Sequence, residues 1–345
     1  MSVSDPGPGP APVVVVGAGL AGAACALELV SAGVPVRVLD RGRRPGGRMS
    51  GRAFDDGGDL GDRETDLGAS YFTAGDEDFA AIAEDWRVRG LARPWTDTFT
   101  VLHGGEPAGD KDGPTRWGGT RGLRALVDDV LEPLVAGGAL ERQQVESVAV
   151  SPDGLLTVDG AAASAVVLAM PDPQAVRLLG DGLGDVAAVL TREWEPTLAL
   201  AARFEQRTWD RVSPSGTFHG AFVNDDPVLS WIADDGRRRG DDAPVVVAHS
   251  TPELAARYLD DPAGAAPVMA MALSSLLDAG DPVETRVQRW TFAKPTGERP
   301  EPFHLSSEGD GLVGVCGDGW GETSKVETAY LSGAALGRAL AARLP

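Results

Sequence analysis

The chain has 345 residues and a formal charge of −20, from 31 basic and 51 acidic side chains, with two cysteines. That acidity argues against nucleic acid and anionic membrane as partners, because both attract protein chiefly through positive charge. Two cysteines make no disulfide framework, and Cys25 and Cys316, both in apolar company, read as buried free thiols. Met1 to Pro10, composed of Ser, Asp, Pro and Gly beside a few apolar residues, reads as a disordered N-terminus without the regions of a signal peptide. No apolar run approaches the roughly twenty residues that span a bilayer, so a cytoplasmic protein is expected.

Val13-Val14-Val15-Val16 reads as a buried strand, followed by Gly17-Ala18-Gly19-Leu20-Ala21-Gly22 and a helix to Ser31. Gly17 permits the tight turn, Gly19 lets a pyrophosphate approach the backbone, and Gly22 lets the helix pack closely on the strand. Phosphates would sit at the helix N-terminus, where free N–H groups and the dipole favour negative charge. Val36 to Asp40 is the second strand. Asp40, eighteen residues after Gly22, can accept from ribose hydroxyls and would repel a 2′-phosphate. Gly46-Gly47-Arg48 follows.

Asp55 to Glu64 is a Gly- and Asp-rich loop. Thr65 to Thr73 brings small residues before two aromatics, Tyr71 and Phe72, which reads as a tight turn with both rings in the core or as close passage along a flat ring. Asp76 to Arg89 has the spacing of an amphipathic helix, with Phe79, Ile82, Ala83 and Trp86 on one face. A hairpin is expected over Phe99 to Pro107. Arg116 to Gly122 then reads as a helix start, not a second phosphate cradle, because no strand is seen before it. That helix runs to about Val135.

Gln144 to Val150 and Leu155 to Val158 form a hairpin about Ser151-Pro152-Asp153-Gly154, and Ala165 to Met170 is an apolar strand. Gly180 to Gly184 imitates a nucleotide loop but follows a helix, so it is rejected as a second site. The middle third changes character. Thr197 to Phe204, Thr217 to Val223, Val228 to Ala233, Val245 to His249 and Val283 to Phe292 read as strands, the first four in an antiparallel sheet, with helices over Leu254 to Tyr258 and Val268 to Leu277. Leu312 to Cys316 is a last strand, Gly317 to Gly321 a turn, and Lys325 to Ala342 a helix with small residues at Ala329, Gly333 and Gly337 for tight packing. Ser324 and Glu327 have the spacing of a capping box. The Gly317-Asp318 turn reads either as an ordinary strand-turn-helix or as a polar end that binds a polyol chain and stabilises a reduced flavin.

These blocks together resemble the renalase-like flavoproteins, over the chain from about Val13 to the last helix. The resemblance rests on Gly17 to Gly22 with Asp40, on Gly46-Gly47-Arg48-Met49, and on Asp66 to Thr73. Ser230 to Asp235 with Arg237 and Arg238, Arg289-Trp290, and Cys316 to Trp320 extend it. Ser70 departs, standing where renalases often have glutamine. The Gly46-Gly47-Arg48 loop is also similar to the second signature of the two-dinucleotide-binding-domain flavoproteins, where it holds FAD phosphate.

The resemblance implies an α/β fold: a Rossmann-type FAD-binding domain of glutathione-reductase-2 type, with an inserted α+β substrate domain on a mostly antiparallel sheet. The FAD-binding domain would comprise residues 11–75, 115–182 and 284–345, and the substrate domain 76–114 and 183–283. It implies non-covalent FAD held by Gly17, Ala18, Gly19, Leu20, Ala21, Gly22, Asp40, Arg41, Gly47, Arg48, Met49, Gly68, Ala69, Ser70, Val145, Gly317, Asp318, Lys325 and Val326. The implied reaction is oxidation of dihydronicotinamide isomers of NAD(P)H by hydride transfer, with O2 reoxidation giving H2O2. Trp290, Tyr71 and Lys325 are the candidates for lining the flavin ring and substrate, although Trp290 reads equally as a core residue. Arg237, Arg238 and Arg239 read as a solvated turn, and His249 as structural or surface.

The nearest rival is a flavin amine oxidase on a small substrate. In that family an aromatic-cage tyrosine lies two residues before the last helix's glutamate, where this chain has Lys325, and the chain holds only Tyr71, Tyr258 and Tyr330. A non-catalytic FAD-binding protein and an isoprenoid desaturase or isomerase are the remaining alternatives; no basic amphipathic helix supports the last.

Overall fold

The computed structural model describes residues 11–54 and 60–344. The N-terminal stretch 1–10 and residues 55–59 of the expected loop lie outside them. The chain forms two compact units: Met1–Gly47, Val127–Glu193 and Pro295–Pro345 make the first, Arg48–Leu126 and Trp194–Lys294 the second. Residues 48–54, 60–75, 115–126 and 284–294, expected with the nucleotide-binding part, therefore pack in the second unit, and 183–193 in the first. Continuity of structure explains the difference. Arg116 to Gly119 end the long strand Glu106–Gly119, and Glu284–Pro295 is an edge strand of the second unit's sheet.

The first unit is built on a six-stranded sheet, in the order His304–Glu308, Gly311–Val315, Ala165–Leu168, Val13–Val16, Val36–Asp40, Leu140–Arg142. All pairings are parallel except that of the His304 edge strand. Val13 to Val16 are buried on both faces, as a central parallel strand requires, which explains an unbroken β-branched run. The hairpin about Ser151 to Gly154 forms as expected, with strands Val148–Val150 and Leu156–Val158.

Helices Leu20–Ser31 and Val326–Ala341 pack on each other through small residues. A Cβ on Gly333 would lie 2.0 Å from the Ala21 carbonyl oxygen, and one on Gly337 2.6 Å from that of Cys25. The backbones are close because those side chains are absent. Cys25 and Cys316 are both buried and free. Burial raises both thiols, Cys316 to about 12, so neither supplies a thiolate at neutral pH.

The second unit contains a seven-stranded sheet, ordered Glu284–Pro295, Trp194–Arg203, Val245–Ser250, Leu229–Asp234, Gly220–Asn224, Ala92–His103, Glu106–Gly119. Four of its pairings are antiparallel, and Gly220–Asn224 runs parallel to Ala92–His103. The hairpin expected over Phe99 to Pro107 is the tip of a much longer one. Strand alternation divides the apolar residues between two faces. Leu198, Leu200 and Ala202 pack with Ile232, Val246, Met269 and Leu273, under helices Pro252–Arg257 and Ala266–Leu277. Ala199 and Ala201 face the other way, with Val245, Val247, Phe54 and Leu67. On the same sheet, Trp95, Phe99 and Trp231 form an aromatic group against which Tyr71 and Phe222 pack.

The expectation that no strand precedes Arg116 to Gly122 is thus corrected, although the segment does lead into helix Arg124–Ala136. Its glycines answer to crowding: a Cβ on Gly118 would meet the Arg238 side chain at 2.7 Å, and one on Gly119 the Gly122 carbonyl at 2.4 Å. The amide leading into the helix is occupied by protein, since Leu123 N–H donates to Asp66 Oδ1 at 2.9 Å.

Gly333→Ala should lower stability by about 2 kcal/mol, the usual scale of overpacking. Urea denaturation checks this against Gly184→Ala, whose added methyl meets nothing within 4 Å. Equal midpoints for the two variants would contradict the close helix contact.

Candidate active site

In the first unit the strand Val13–Val16 delivers the chain into a turn that only glycine can make. Gly17 has φ +106°, and a Cβ there would lie 2.8 Å from the Ala169 carbonyl oxygen. A Cβ on Gly22 would meet the Gly17 oxygen at 2.0 Å, so the helix is seated directly on the turn. Gly19 and Gly47 face one another: a Cβ on Gly47 would stand 3.3 Å from the Gly19 Cα. Helix Leu20–Ser31 starts at Gly19 with no side-chain cap and no acidic residue in its first turn. This is an open cradle for an anion at a helix N-terminus.

Asp40 braces that cradle. Its carboxylate accepts from Ala18 N–H and from Gly42 N–H, both at 2.7 Å. Each oxygen keeps a lone pair, so the brace leaves capacity for a ribose hydroxyl. Leu20 and Ala21 are buried in the first helical turn, Arg41 is exposed, and Val145 is buried in the apolar layer with Val16 and Leu39.

At the other informative end, Gly317 N–H donates to Ser332 Oγ at 3.0 Å, and Asp318, buried, accepts from Ser324 Oγ at 2.5 Å. The expected capping box does not form. Helix Val326–Ala341 begins at Lys325 with no side-chain cap: Ser324 lies one residue before the cap position, and its hydroxyl donates to the Asp318 carboxylate. Val326 and Glu327 are buried and Lys325 is exposed. A second helix N-terminus is thus left without a side-chain cap, beside a carboxylate.

In the second unit the stretch Asp66 to Phe72 is held from many sides. Arg48 O accepts from Ala69 N–H at 2.8 Å, and a Cβ on Gly68 would lie 1.9 Å from that same oxygen. The Arg48 guanidinium donates to Ala293 O and lies 4.8 Å over the Trp194 ring. Met49 is buried. Trp290 Nε1 donates to Leu67 O at 2.8 Å, and its ring edge lies 3.2 Å from a Cβ built on Gly68. Trp231 Nε1 donates to Ser70 Oγ at 3.0 Å. Phe72 is a core residue, packed on Phe79, Trp86 and Trp117. Tyr71 is half-buried among Trp95, Phe99 and Trp231. Burial raises its phenol, with Arg116 opposing.

Arg237 to Arg239 are not a solvated turn. They end the short helix Asp235–Arg239, and Arg238 and Arg239 are buried. Arg238 pairs with Asp235 and donates to Ser70 O at 2.6 Å; Arg63 pairs with Asp235 at 2.5 Å. Burial opposes ionisation of Asp235, but Arg238, Arg239 and Arg63 outweigh it and hold the carboxyl below its usual range. For Asp66 burial wins over Arg239 and Arg238, and the carboxyl is raised. His249 is also internal: burial, then Arg238, lowers its imidazole to about 4, so it is neutral at pH 7. This ionic cluster escaped the sequence reading. Its only local signal is the spacing of Asp235 to Arg238 and Arg239, three and four residues apart on a helix.

The geometry brings Gly17 to Gly22, Asp40 and Gly47 together, gathers Gly317 and Asp318 at the start of the last helix, and joins Gly68, Ala69 and Ser70 to Arg48, Trp231 and Trp290. Residues 15–86 match the model of an NAD(P)-binding Rossmann-like domain, and residues 108–336 that of flavin containing amine oxidoreductases. Among solved structures, a triple mutant of putrescine oxidase with redesigned cofactor binding is similar at 15% identity and a TM-score of 0.72, over 97% of this chain and 99% of that one. Cyclohexylamine oxidase from Brevibacterium oxydans IH-35A is similar at 14% identity and 0.71, over 97% and 99%. An oxidoreductase from Methanosarcina mazei is similar at 13% and 0.66, over 94% and 99%. These likenesses show the fold. Among the described residues no helix is long and apolar enough to cross a membrane. With a family match extending over well more than half its length, the chain belongs to the flavin containing amine oxidoreductase family and is an FAD-dependent oxidoreductase.

Proposed function

We propose that the enzyme is a renalase-like oxidase that takes dihydronicotinamide isomers of NAD(P)H as substrate and O2 as acceptor. The observation that carries this reading is Lys325. It is exposed at the N-terminus of the last helix, at the position where the amine oxidases resemble one another in a cage tyrosine. A cation there disfavours an ammonium substrate and suits an anionic flavin or a phosphate-bearing substrate. The buried carboxylates Asp66, Asp234 and Asp235 of the second unit are matched to Arg63, Arg207, Arg238 and Arg239, which leaves them poorly suited to receive an ammonium group.

Non-covalent FAD, when bound, supplies the hydride acceptor and passes electrons to O2, giving H2O2. The head of helix Leu20–Ser31 fits its phosphates, since it has no side-chain cap and no acidic residue in its first turn. In this reading Gly17 to Gly22 and Gly47 hold the pyrophosphate and Asp40 the ribose. Arg41, Met49 and Val145 flank the ADP part. Asp318 accepts from the polyol chain, and the N–H groups at Val326 favour charge on the ring. Gly68, Ala69 and Ser70 give a side-chain-poor strip for a flat ring, in keeping with a glutathione-reductase-2 type of FAD binding. Trp290, fixed through its indole N–H to Leu67, and Tyr71 orient the nicotinamide. Little acid-base machinery is needed, because alignment of a ring carbon supplies much of the rate. The aromatic group of Tyr71, Trp95, Phe99 and Trp231 favours the second reading, oxidation of a small apolar amine.

Anaerobic stopped-flow reduction across dihydronicotinamide isomers, NADH and amines separates the two. The isomers should bleach the flavin fastest; faster bleaching by benzylamine would move the enzyme to the amine oxidases proper. Trp290→Ala should slow flavin reduction by the isomers by about a hundredfold, the cost of losing alignment, while FAD stays bound. An unchanged rate would remove Trp290 from the substrate site.

A further inference from the structure

A group of charged residues in the first unit, outside the fingerprint, converges on the Gly317 to Gly321 turn. Arg192 spreads its fork over three backbone carbonyls: Nε donates to Thr296 O at 2.8 Å, Nη2 to Gly297 O at 2.6 Å, and Nη1 to Gly319 O. Its own backbone N–H donates to Asp172 Oδ2 at 2.9 Å. Asp172, buried, also receives Arg299 in a two-point pair at 3.2 and 2.8 Å. Arg299 in turn lies 4.1 Å over the Trp320 ring, and its carbonyl accepts from Gly321 N–H at 3.0 Å.

The turn needs such support. Gly317 has φ +149° and Gly321 φ +140°, conformations that other residues rarely adopt and that glycine leaves easily. Gly319, Trp320 and Gly321 are each held by Arg192 or Arg299, and Asp318 immediately precedes the span they fix. The one carboxylate of Asp172 is shared by the Arg192 backbone N–H and the Arg299 guanidinium. Burial, then Arg299, lowers the Arg192 pKa, whereas Asp172 and Asp318 raise it, so Arg192 lies within electrostatic reach of the turn's own carboxylate.

We propose that Arg192 is a positioning residue for the flavin end of the cofactor site, setting the Asp318 carboxylate by fixing the Gly319 carbonyl. The inference rests on the assignment of the Gly317 to Gly321 turn to the flavin. Arginine is required for its shape as much as its charge. Its planar fork reaches carbonyls on two separate segments at once, whereas a lysine ammonium is a single point. Asp172 and Arg299 form the base on which it is seated.

The test compares FAD with ADP, which meets the Gly17 to Gly22 cradle and Asp40 but not the Gly317 to Gly321 turn. Apoprotein is titrated with each, by flavin fluorescence for FAD and calorimetry for ADP. Arg192→Met should weaken FAD by about tenfold or more, equivalent to about 1.4 kcal/mol, and leave ADP affinity within about twofold. The visible circular dichroism of bound flavin should change as its polyol end loosens. Arg192→Lys, which keeps the charge, should show the same selective loss and carries the test should the methionine variant fail to fold. Unchanged FAD affinity, or equal weakening of FAD and ADP, would overturn the positioning role. A wild-type apoprotein that binds ADP but not FAD would overturn the flavin assignment itself.

Discussion

The two helices of the first unit that pack on each other, Leu20–Ser31 and Val326–Ala341, both start without a side-chain cap, and much of that unit's design follows from this. The amides at the heads of Leu20–Ser31 and Val326–Ala341 are donors that a Ser, Thr or Asp would ordinarily occupy, at a gain of about 1 kcal/mol each. Here Gly19 cannot cap, and Ser324 is bonded to Asp318. The glycines hold the uncapped ends where they are. Gly17 and Gly22 seat the first helix on its strand, and Gly333 and Gly337 let the last helix lie against it. In the function proposed here, anionic or electron-rich parts of a dinucleotide cofactor complete both ends, which would link ligand binding to fold stability in this unit.

The second unit is organised by a different constraint, buried charge. Asp66, Asp235, Arg63, Arg238 and Arg239 form one cluster from which Arg238 reaches the Ser70 carbonyl. Removing one partner from such a set leaves an uncompensated charge and typically costs about 3–5 kcal/mol. The cluster therefore fixes the small-residue strip Gly68 to Ser70 more firmly than a glycine-containing turn could fix itself. Trp290 and Trp231 bond to the same strip from the sheet. A strip that is rigid and nearly free of side chains is what stacking beside a flat ring asks for.

The local features were legible in the sequence. The fingerprint strand and helix, the distance to Asp40, the Ser151 to Gly154 hairpin and the strands of the middle third each depend on neighbours within a few residues. Features fixed by distant partners were not. Arg116 to Gly119 lie in a strand because the hairpin runs far past its apolar tip, into Asp, Lys and Gly residues that carry no alternation. Arg238 and Arg239 are buried because Asp66 and Asp235 meet them, about 170 residues away in the case of Asp66. The last helix starts one residue later than the Ser324 to Glu327 spacing implies, with Lys325 at its cap position and Ser324 bonded to Asp318. Arg192 gave no motif at all, since its partners are backbone carbonyls.

The proposed chemistry depends most directly on FAD held without a covalent bond by glycine turns and helix ends. The measurement is the flavin content of the purified chain after acid denaturation, read by absorbance and chromatography of the supernatant. The protein should be yellow, release intact FAD at one equivalent per chain and regain its colour when FAD is added back. A colourless protein that takes up no FAD, or flavin that stays with the precipitated chain, would contradict it.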